Sequence, residues 1–504
     1  MSHSNTEAAF LERWAEIADL SSASGVLGWD QETYMPRKGQ EARGKVLATL
    51  AGLRHAKLTA PELGDALEAY AEEAAPGSDA EAQVREARRQ IERAARVPAE
   101  LTKRQAEASS RGLAAWQNAR KSSDFSLFER ELEELVAIAR EIGAHLAPLT
   151  ASGKPFDALL DEYEAGATEA ELTPLFASLR SSLSPVVHAA AESGVRVDES
   201  PARGAFDPTK QLEFGQRVAA QMGFDFDAGR LDRATHPFCS GFHPTDVRLT
   251  WRFQEDDFRP ALYGIMHEAG HGLYEQGLPS GWARTPLGAA VSLGVHESQS
   301  RLWENLVGRS RAFWSWALPL FHETFPEKRD VTVDALYPAL HTVAPSLIRV
   351  EADEATYNLH IVVRYEVERA LIAGELEVGD LPGAWDSAYE ELLGVRADDV
   401  ADGVLQDIHW SMGAFGYFPT YALGNLINAQ LFEAARAALG DLDEQLGRGE
   451  LEPLLAWLRD NIHRHGSRYG ARELVERATG KPITADAFLS YVRATTREVY
   501  GVAV

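Results

Sequence analysis

Tyr263-Gly264-Ile265-Met266-His267-Glu268-Ala269-Gly270-His271-Gly272 is the stretch on which the reading of the whole chain turns. Taken as a helix, it sets His267 and His271 one turn apart on the same face. Two neutral imidazoles so placed bind one zinc-like ion at about 2.0–2.1 Å each. Glu268 is rotated about 100° from His267 on a helix of 3.6 residues per turn. From there it reaches water on such an ion and not the ion itself, which suits a general base. Two unrelated helix histidines are the plain alternative, and the glycines weaken it. Gly270 and Gly272 each cost up to about 1 kcal/mol relative to Ala inside a helix. A sequence that accepts this needs close backbone approach at that point.

A second cluster follows, Val295-His296-Glu297-Ser298-Gln299-Ser300. Two His from one helix and one Glu from another form the open three-ligand set of catalytic zinc sites, which leaves a fourth position for water. Glu297 is therefore the expected third ligand, and His296 points off that face. Arg301 and Glu304 lie one and two turns below Glu297, where they either support the ligands or pair on the surface.

Upstream, Asp246-Val247-Arg248-Leu249-Thr250-Trp251-Arg252-Phe253 alternates polar and apolar residues over eight positions. That is a half-buried strand with Asp246, Arg248, Thr250 and Arg252 on one face, either solvated or lining an active site. Helical periodicity covers 5–20, 40–55, 61–74, 79–95, 98–118 and 124–147, with Leu132, Leu135, Ile138, Ile142 and Leu146 as a clear stripe. Breaks are expected at Pro61, at 75–78 and at 150–155, with a less regular crossing over 193–208. Helices resume after 254. The expected architecture is mainly α, a single large helical domain over 1–504 with a small sheet beside a long substrate groove. Its parts are an N-terminal helical part (about 1–200), a metal-site part (about 230–430) and C-terminal helices (about 431–504).

The composition is ordinary for a globular protein: 504 residues, 45% hydrophobic and 25% charged. Disordered, collagenous and disulfide-scaffold classes are thereby excluded. A formal net charge of −26 repels phosphate backbones and anionic lipid, so neither nucleic acid nor a membrane is an expected partner. The one cysteine, Cys239, excludes an internal disulfide and fits a reducing compartment. It reads as a small buried hydrophobe, not a nucleophile. The N-terminus carries acids from Glu7 onward without an apolar core, so no signal peptide is expected, and no stretch approaches the about 18 apolar residues of a membrane span. The expected location is cytoplasmic.

Five motifs in order resemble the carboxypeptidase Taq family of metallocarboxypeptidases. They are Asp246-Val-Arg248-Leu-Thr250, His267-Glu268-Ala-Gly-His271, His296-Glu297-Ser298-Gln299, Ile348-Arg349-Val-Glu-Ala352-Asp353 and Gly403-Val-Leu-Gln406-Asp407-Ile-His409-Trp410. Trp29-Asp30-Gln31-Glu32-Thr33-Tyr34-Met35-Pro36 matches the family's N-terminal hallmark, so the resemblance runs from about residue 10 to the C-terminus. It implies a largely helical fold with a central groove and usually a homodimer. It also implies one divalent metal, zinc first and cobalt second, on His267, His271 and Glu297. The implied activity is broad removal of single C-terminal amino acids from peptides with a free C-terminus, proline being the poor residue.

Exopeptidase action of this kind needs a cation for the free α-carboxylate, and a fork-shaped Arg is the natural choice. Arg349 and Arg248 are the candidates, with Asp246 joining Arg248 in the substrate-binding set. Arg349 equally fits an ion pair on one helical face with Asp353 and Tyr357, and Arg248 equally fits ordering the strand through Asp246. A developing oxyanion needs a donor besides the metal; His409, Tyr417 and Tyr421 are candidates, packed core being the bland reading of each tyrosine. Glycines and Pro419 make 413–421 a loop able to close over substrate. His236 and His243 are structural or line the substrate. The rival activities are a metallo-oligopeptidase or endopeptidase on the same metal helix, and a catalytically silent peptide-binding protein.

Overall fold

A computed structural model describes residues 5–504, which pack as two compact units. The first draws on residues 5–95, 198–340 and 431–482, the second on 96–197, 341–430 and 483–504. Each is assembled from three separated stretches of the chain. Among the described residues, no helix is long and apolar enough to cross a membrane.

In the first unit, the helix Asn5–Thr33 buries Phe10, Trp14 and Ile17 along one face. They close on Leu63, Leu67 and Tyr70 of the helix Pro61–Ala71 and on Val84 and Ala87. Burying each such side chain is worth about 1.5–3 kcal/mol. The helix runs well past residue 20, and Ser21 and Ser24 within it return their hydroxyls to the carbonyls of Ile17 and Leu20. Pro36, lacking an N–H, lies just beyond its end.

The sheet has three strands, β1 (Gly229–Arg233), β2 (Cys239–His243) and β3 (Asp246–Trp251), in the order β1-β3-β2. β3 pairs parallel with β1 and antiparallel with β2. The alternating segment is thus the central strand, and it ends at Trp251, short of Phe253. Thr250, expected on a face either solvated or lining the site, is buried: its hydroxyl donates to the Phe238 carbonyl at 3.1 Å and accepts from the Phe238 N–H at 2.7 Å. A central strand is covered along both edges, and the chain entering β2 covers this end. The β1–β3 register sets Arg230 beside Arg248. Trp29 lies under both guanidiniums, at 5.2 and 4.3 Å, and Asp232 and Asp246 neutralise them.

The helix Arg259–Gly277 packs across this sheet and is apolar on nearly all sides, as a core helix must be. A Cβ at Gly272 would fall 2.8 Å from Leu249 Cδ2, and one at Gly215 would fall 2.3 Å from Ile265 Cδ1. Glycine at these positions lets the sheet and the helix Pro208–Met222 close on it.

In the second unit, helices Ala99–Ser122 and Ser126–Leu146 form a hairpin, with Ser123 in the left-handed region at φ 49°. The stripe Leu132, Leu135, Ile138, Ile142 and Leu146 is buried as its spacing predicts. The helix Tyr357–Ala373 is buried almost throughout, including the charged Arg364 and Glu368.

Candidate metal centre

His267 and His271 stand one turn apart on the helix Arg259–Gly277, and Glu297 faces them from the helix Leu293–Arg301. Ser292 caps that second helix by accepting the Val295 N–H at 3.1 Å. Gly270 brings the two helices together: a Cβ there would lie 2.6 Å from Ser300 Cα and 2.7 Å from the Gln299 carbonyl. The close approach that the glycines imply is therefore real, and alanine at 270 has no room.

Among the described residues, His267, His271 and Glu297 form the group able to hold a metal, their ligand atoms lying within 4.8 Å of one another. Glu297 Oε2 is 3.5 Å from His267 Nε2 and 3.4 Å from His271 Nε2. A tetrahedron with ligands 2.0–2.1 Å from its centre has edges of about 3.3–3.4 Å. The donor set and its spacing thus fit a zinc-like ion.

Surrounding groups aim these donors. His267 donates Nδ1–H to Glu304 Oε2 at 2.8 Å, which directs Nε2 inward. Glu304 sits in a π-helical turn, Leu302–Val307, whose extra residue per turn swings it away from surface pairing. Arg301 donates to Glu297 Oε1 at 2.8 Å and to Glu304 Oε2 at 3.2 Å, and Ser300 donates to Glu297 Oε2 at 3.1 Å. Of the two readings open for Arg301 and Glu304, pairing on the surface does not hold, since both bond His267 or Glu297. His296 departs from expectation: it does not leave the site but stacks on His271, with ring centroids 4.4 Å apart.

Burial and charge set the protonation states of the metal-free centre. Burial opposes charge on His267, yet the carboxylates of Glu297 and Glu304 raise it to about 9. His271 is lowered to about 3, first by burial and then by His296. Burial also disfavours ionised Glu297 and Glu304, but His267 and Arg301 hold the first well below the usual range and Arg301 and His267 hold the second at about 2. Glu268 is buried and raised to about 7, by burial first, with His267 pulling back and Glu297 pushing further. Cys239 is half-buried in β2; burial and the nearby Glu275 and Glu268 push its thiol up, which suits an inert side chain.

The other expected residues fall into two groups. In the first unit, Arg248 forks onto Asp246 (Nε–Oδ1 2.9 Å, Nη2–Oδ2 3.1 Å). His236 is exposed, and His243 bonds Thr245 Oγ1 at 2.8 Å.

In the second unit, Arg349, His409, Tyr417 and Tyr421 converge. Arg349 is not on a continuous helix with Asp353 and Tyr357: it lies in a short turn, Arg349–Glu351, and Asp353 instead accepts the N–H groups of Ala355 and Thr356 in the turn before the helix Tyr357–Ala373. Its ion pair is with Asp407, through Nε at 3.1 Å and Nη2 at 2.8 Å, while Nη1 donates to Tyr357 Oη at 3.0 Å. Arg364 shares that carboxylate, donating Nε to Asp407 Oδ2 at 2.6 Å. Arg349 also lies 4.9 Å from the Tyr421 ring centroid, and Tyr421 Oη is 3.5 Å from His409 Nε2. Burial lowers His409 to about 4 and pushes Tyr421 well above its usual range, so the imidazole is neutral and the phenol keeps its proton.

Residues 413–418 are a packed segment and not a free lid. Phe415 and Phe418 are buried, Gly416 N–H donates to Glu368 at 2.6 Å, and a Cβ at Gly416 would strike the Leu159 backbone at 2.6 Å. Pro419 opens the helix Pro419–Leu439, which carries Tyr421. Arg364 escaped the sequence reading, although a charge in the otherwise apolar run Ile361-Val362-Val363-Arg364-Tyr365 is itself a signal.

Residues 9–496 match the family profile described as carboxypeptidase Taq (M32) metallopeptidase. The chain is 45% identical to thermostable carboxypeptidase 1 of Thermus thermophilus, over 98% of this chain and 99% of that one. Carboxypeptidase 1 of Bacillus subtilis is 35% identical over 98% of each. Among solved structures, the M32 carboxypeptidase from Deinococcus radiodurans R1 superposes with a TM-score of 0.95 at 42% identity, covering 99% of this chain and all of that one. A Pyrococcus furiosus carboxypeptidase gives 0.94 at 34% identity, covering 98% and 99%. The chain belongs to the carboxypeptidase Taq (M32) metallopeptidase family and is a metal-dependent carboxypeptidase.

Proposed function

We propose that His267, His271 and Glu297 hold one divalent ion, zinc ahead of cobalt, and that Glu268 moves the proton in removal of single C-terminal amino acids. The observation that carries this is the His-His-Glu spacing, 3.4 and 3.5 Å between Glu297 Oε2 and the two Nε2 atoms, with Glu268 buried beside it. The bound ion supplies a Lewis acid and brings the pKa of coordinated water toward 7. Glu268, buried beside the set and outside it, is placed to take a proton from the attacking water and pass it to the departing amine. Arg301 and Ser300 keep Glu297 ionised and oriented, and Glu304, accepting the Nδ1–H of neutral His267, leaves its Nε2 free for the ion.

Arg349 is the favoured grip for the substrate's α-carboxylate. Two guanidiniums, Arg349 and Arg364, share the one Asp407 carboxylate, so this buried trio carries one excess positive charge. The Arg248–Asp246 pair is balanced one to one, and we assign it the lesser part, ordering β3 beside the substrate. His409, Tyr417 and Tyr421 are the donors to the developing oxyanion, neutral His409 and protonated Tyr421 both having an N–H or O–H to give. A single domain over 1–504, a homodimer and poor release of proline follow from the family resemblance. A net charge of −26 and a lone cysteine support a cytoplasmic enzyme acting on peptides, without nucleic acid or membrane. Product mass spectrometry on matched free-acid and amidated peptides, with and without chelator, tests the activity. Release of one residue from the free acid alone, abolished by chelator, is expected; internal cleavage of the amide would make it an oligopeptidase.

A further inference from the structure

The two imidazoles of the metal set are held in different ways. His267 has Glu304 on its Nδ1, whereas His271 Nδ1 is buried with no hydrogen-bond partner. A metal-binding imidazole is ordinarily aimed by an acceptor on its second nitrogen. His271 has a ring face instead: His296 lies nearly parallel to it, with centroids 4.4 Å apart and planes at 19°. His296 is in turn fixed at its far side, donating Nε2–H to Glu275 Oε1 at 2.8 Å. Glu275, one helical turn beyond His271, occupies space that β2 leaves open, since a Cβ at Gly241 would fall 2.3 Å from Glu275 Oε2. The stack continues through Tyr274 (5.5 Å from His296) to His463 (5.0 Å from Tyr274), whose Nε2 bonds Gln299 at 3.0 Å. Gln299 sits on the helix that carries Glu297, so the ring stack is anchored at both ends.

We propose that His296, anchored by Glu275, is a positioning residue for His271, its ring face setting the imidazole plane that a hydrogen bond sets in His267. This rests on the reading of His271 as a metal ligand. The ligand set needs His271 Nε2 on target to within a few tenths of an ångström, and a ring free to turn about its χ2 bond cannot provide that.

The test uses metal-free protein loaded with cobalt(II), read by competition with a chromophoric chelator and by the visible absorption of the bound ion. His296→Leu, which fills the space without an aromatic face, is expected to weaken cobalt binding 10- to 100-fold and to change the visible band. His296→Phe keeps the face but loses the bond to Glu275, and is expected to weaken binding only about as much as Glu275→Gln and clearly less than His296→Leu. Glu275→Gln, which leaves the core packing alone, should weaken binding in the same direction by less than His296→Leu. Wild-type affinity with an unchanged spectrum in His296→Leu overturns the proposal. So does equal loss in His296→Phe and His296→Leu, because the nitrogen and not the ring face would then matter. If the leucine variant does not fold, as judged by circular dichroism of the metal-free protein, the phenylalanine and Glu275→Gln variants decide by the same criteria. His271→Ala separates the two failures: retained affinity there sinks the ligand reading, whereas lost affinity there with none lost in His296→Leu sinks only the positioning role.

Discussion

Arg349→Met and Asp407→Asn perturb one buried network from its two sides, and the charge count predicts opposite severities. Asp407 accepts from Arg349 Nε and Nη2 at 3.1 and 2.8 Å and from Arg364 Nε at 2.6 Å, and Arg364 is fully buried. Arg349→Met removes one cation and leaves Arg364 and Asp407 matched. The loss is the bonds of Arg349 to Asp407 and to Tyr357 Oη, about 1–3 kcal/mol with the apolar stem retained. Asp407→Asn leaves two buried guanidiniums around a neutral amide, which costs about 3–5 kcal/mol. Urea unfolding of the metal-loaded proteins should therefore rank Asp407→Asn below Arg349→Met. Activity should rank the other way in kind: truncating a desolvated Arg–carboxylate contact costs about 2–5 kcal/mol, or about 30-fold or more in kcat/KM. For Arg349→Met that loss should fall on free-acid peptides and spare amidated ones, which the wild type cuts poorly. Equal or inverted stabilities would refute the charge count. An undiminished acid-over-amide preference in Arg349→Met would move carboxylate recognition to Arg248.

Two further outcomes follow from single residues. Glu297→Ala leaves only two imidazoles and should weaken metal retention by orders of magnitude in equilibrium dialysis; unchanged affinity would place the third ligand elsewhere. Glu368, fully buried and accepting from Trp410 Nε1 at 2.8 Å and Gly416 N–H at 2.6 Å, is raised by burial from 4.5 to about 7. A raised carboxyl stabilises fully below about pH 4.5 and loses that contribution as pH rises through 7. Glu368→Gln should thus gain on the wild type between pH 5 and 8, by up to about 3 kcal/mol. A stability difference that does not change over that range would show Glu368 ionised throughout.

The metal set was legible because its chemistry is local. A His-Glu-x-x-His helix and a nearby His-Glu are each contained in a few residues, and Gly270 and Gly272 reported the helix contact in advance. What supports the ligands was less visible. Glu304 depends on a π-helical turn, and His296 on ring packing against His271, neither of which has a period to read. Arg349 was placed on a helical face because its spacing to Asp353 and Tyr357 allowed one; the structure breaks the helix and satisfies Arg349 from Asp407, distant in sequence. Glycines and Pro419 suggest a loop able to close over substrate, although glycine serves equally where backbone must pass against backbone, as Gly416 does at Leu159. In β3 the alternation was right and its meaning half right, since Thr250 lies under the neighbouring chain.

Glu268→Gln tests the central claim most directly, because it separates holding the metal from using it. Metal content and turnover of one free-acid peptide are measured on the same preparation. The variant should keep its metal, since Glu268 is outside the ligand set, and lose about 10²–10⁴ in turnover with the proton transfer. Wild-type turnover at full metal content would contradict the role given to Glu268, and loss of the metal would contradict the ligand set.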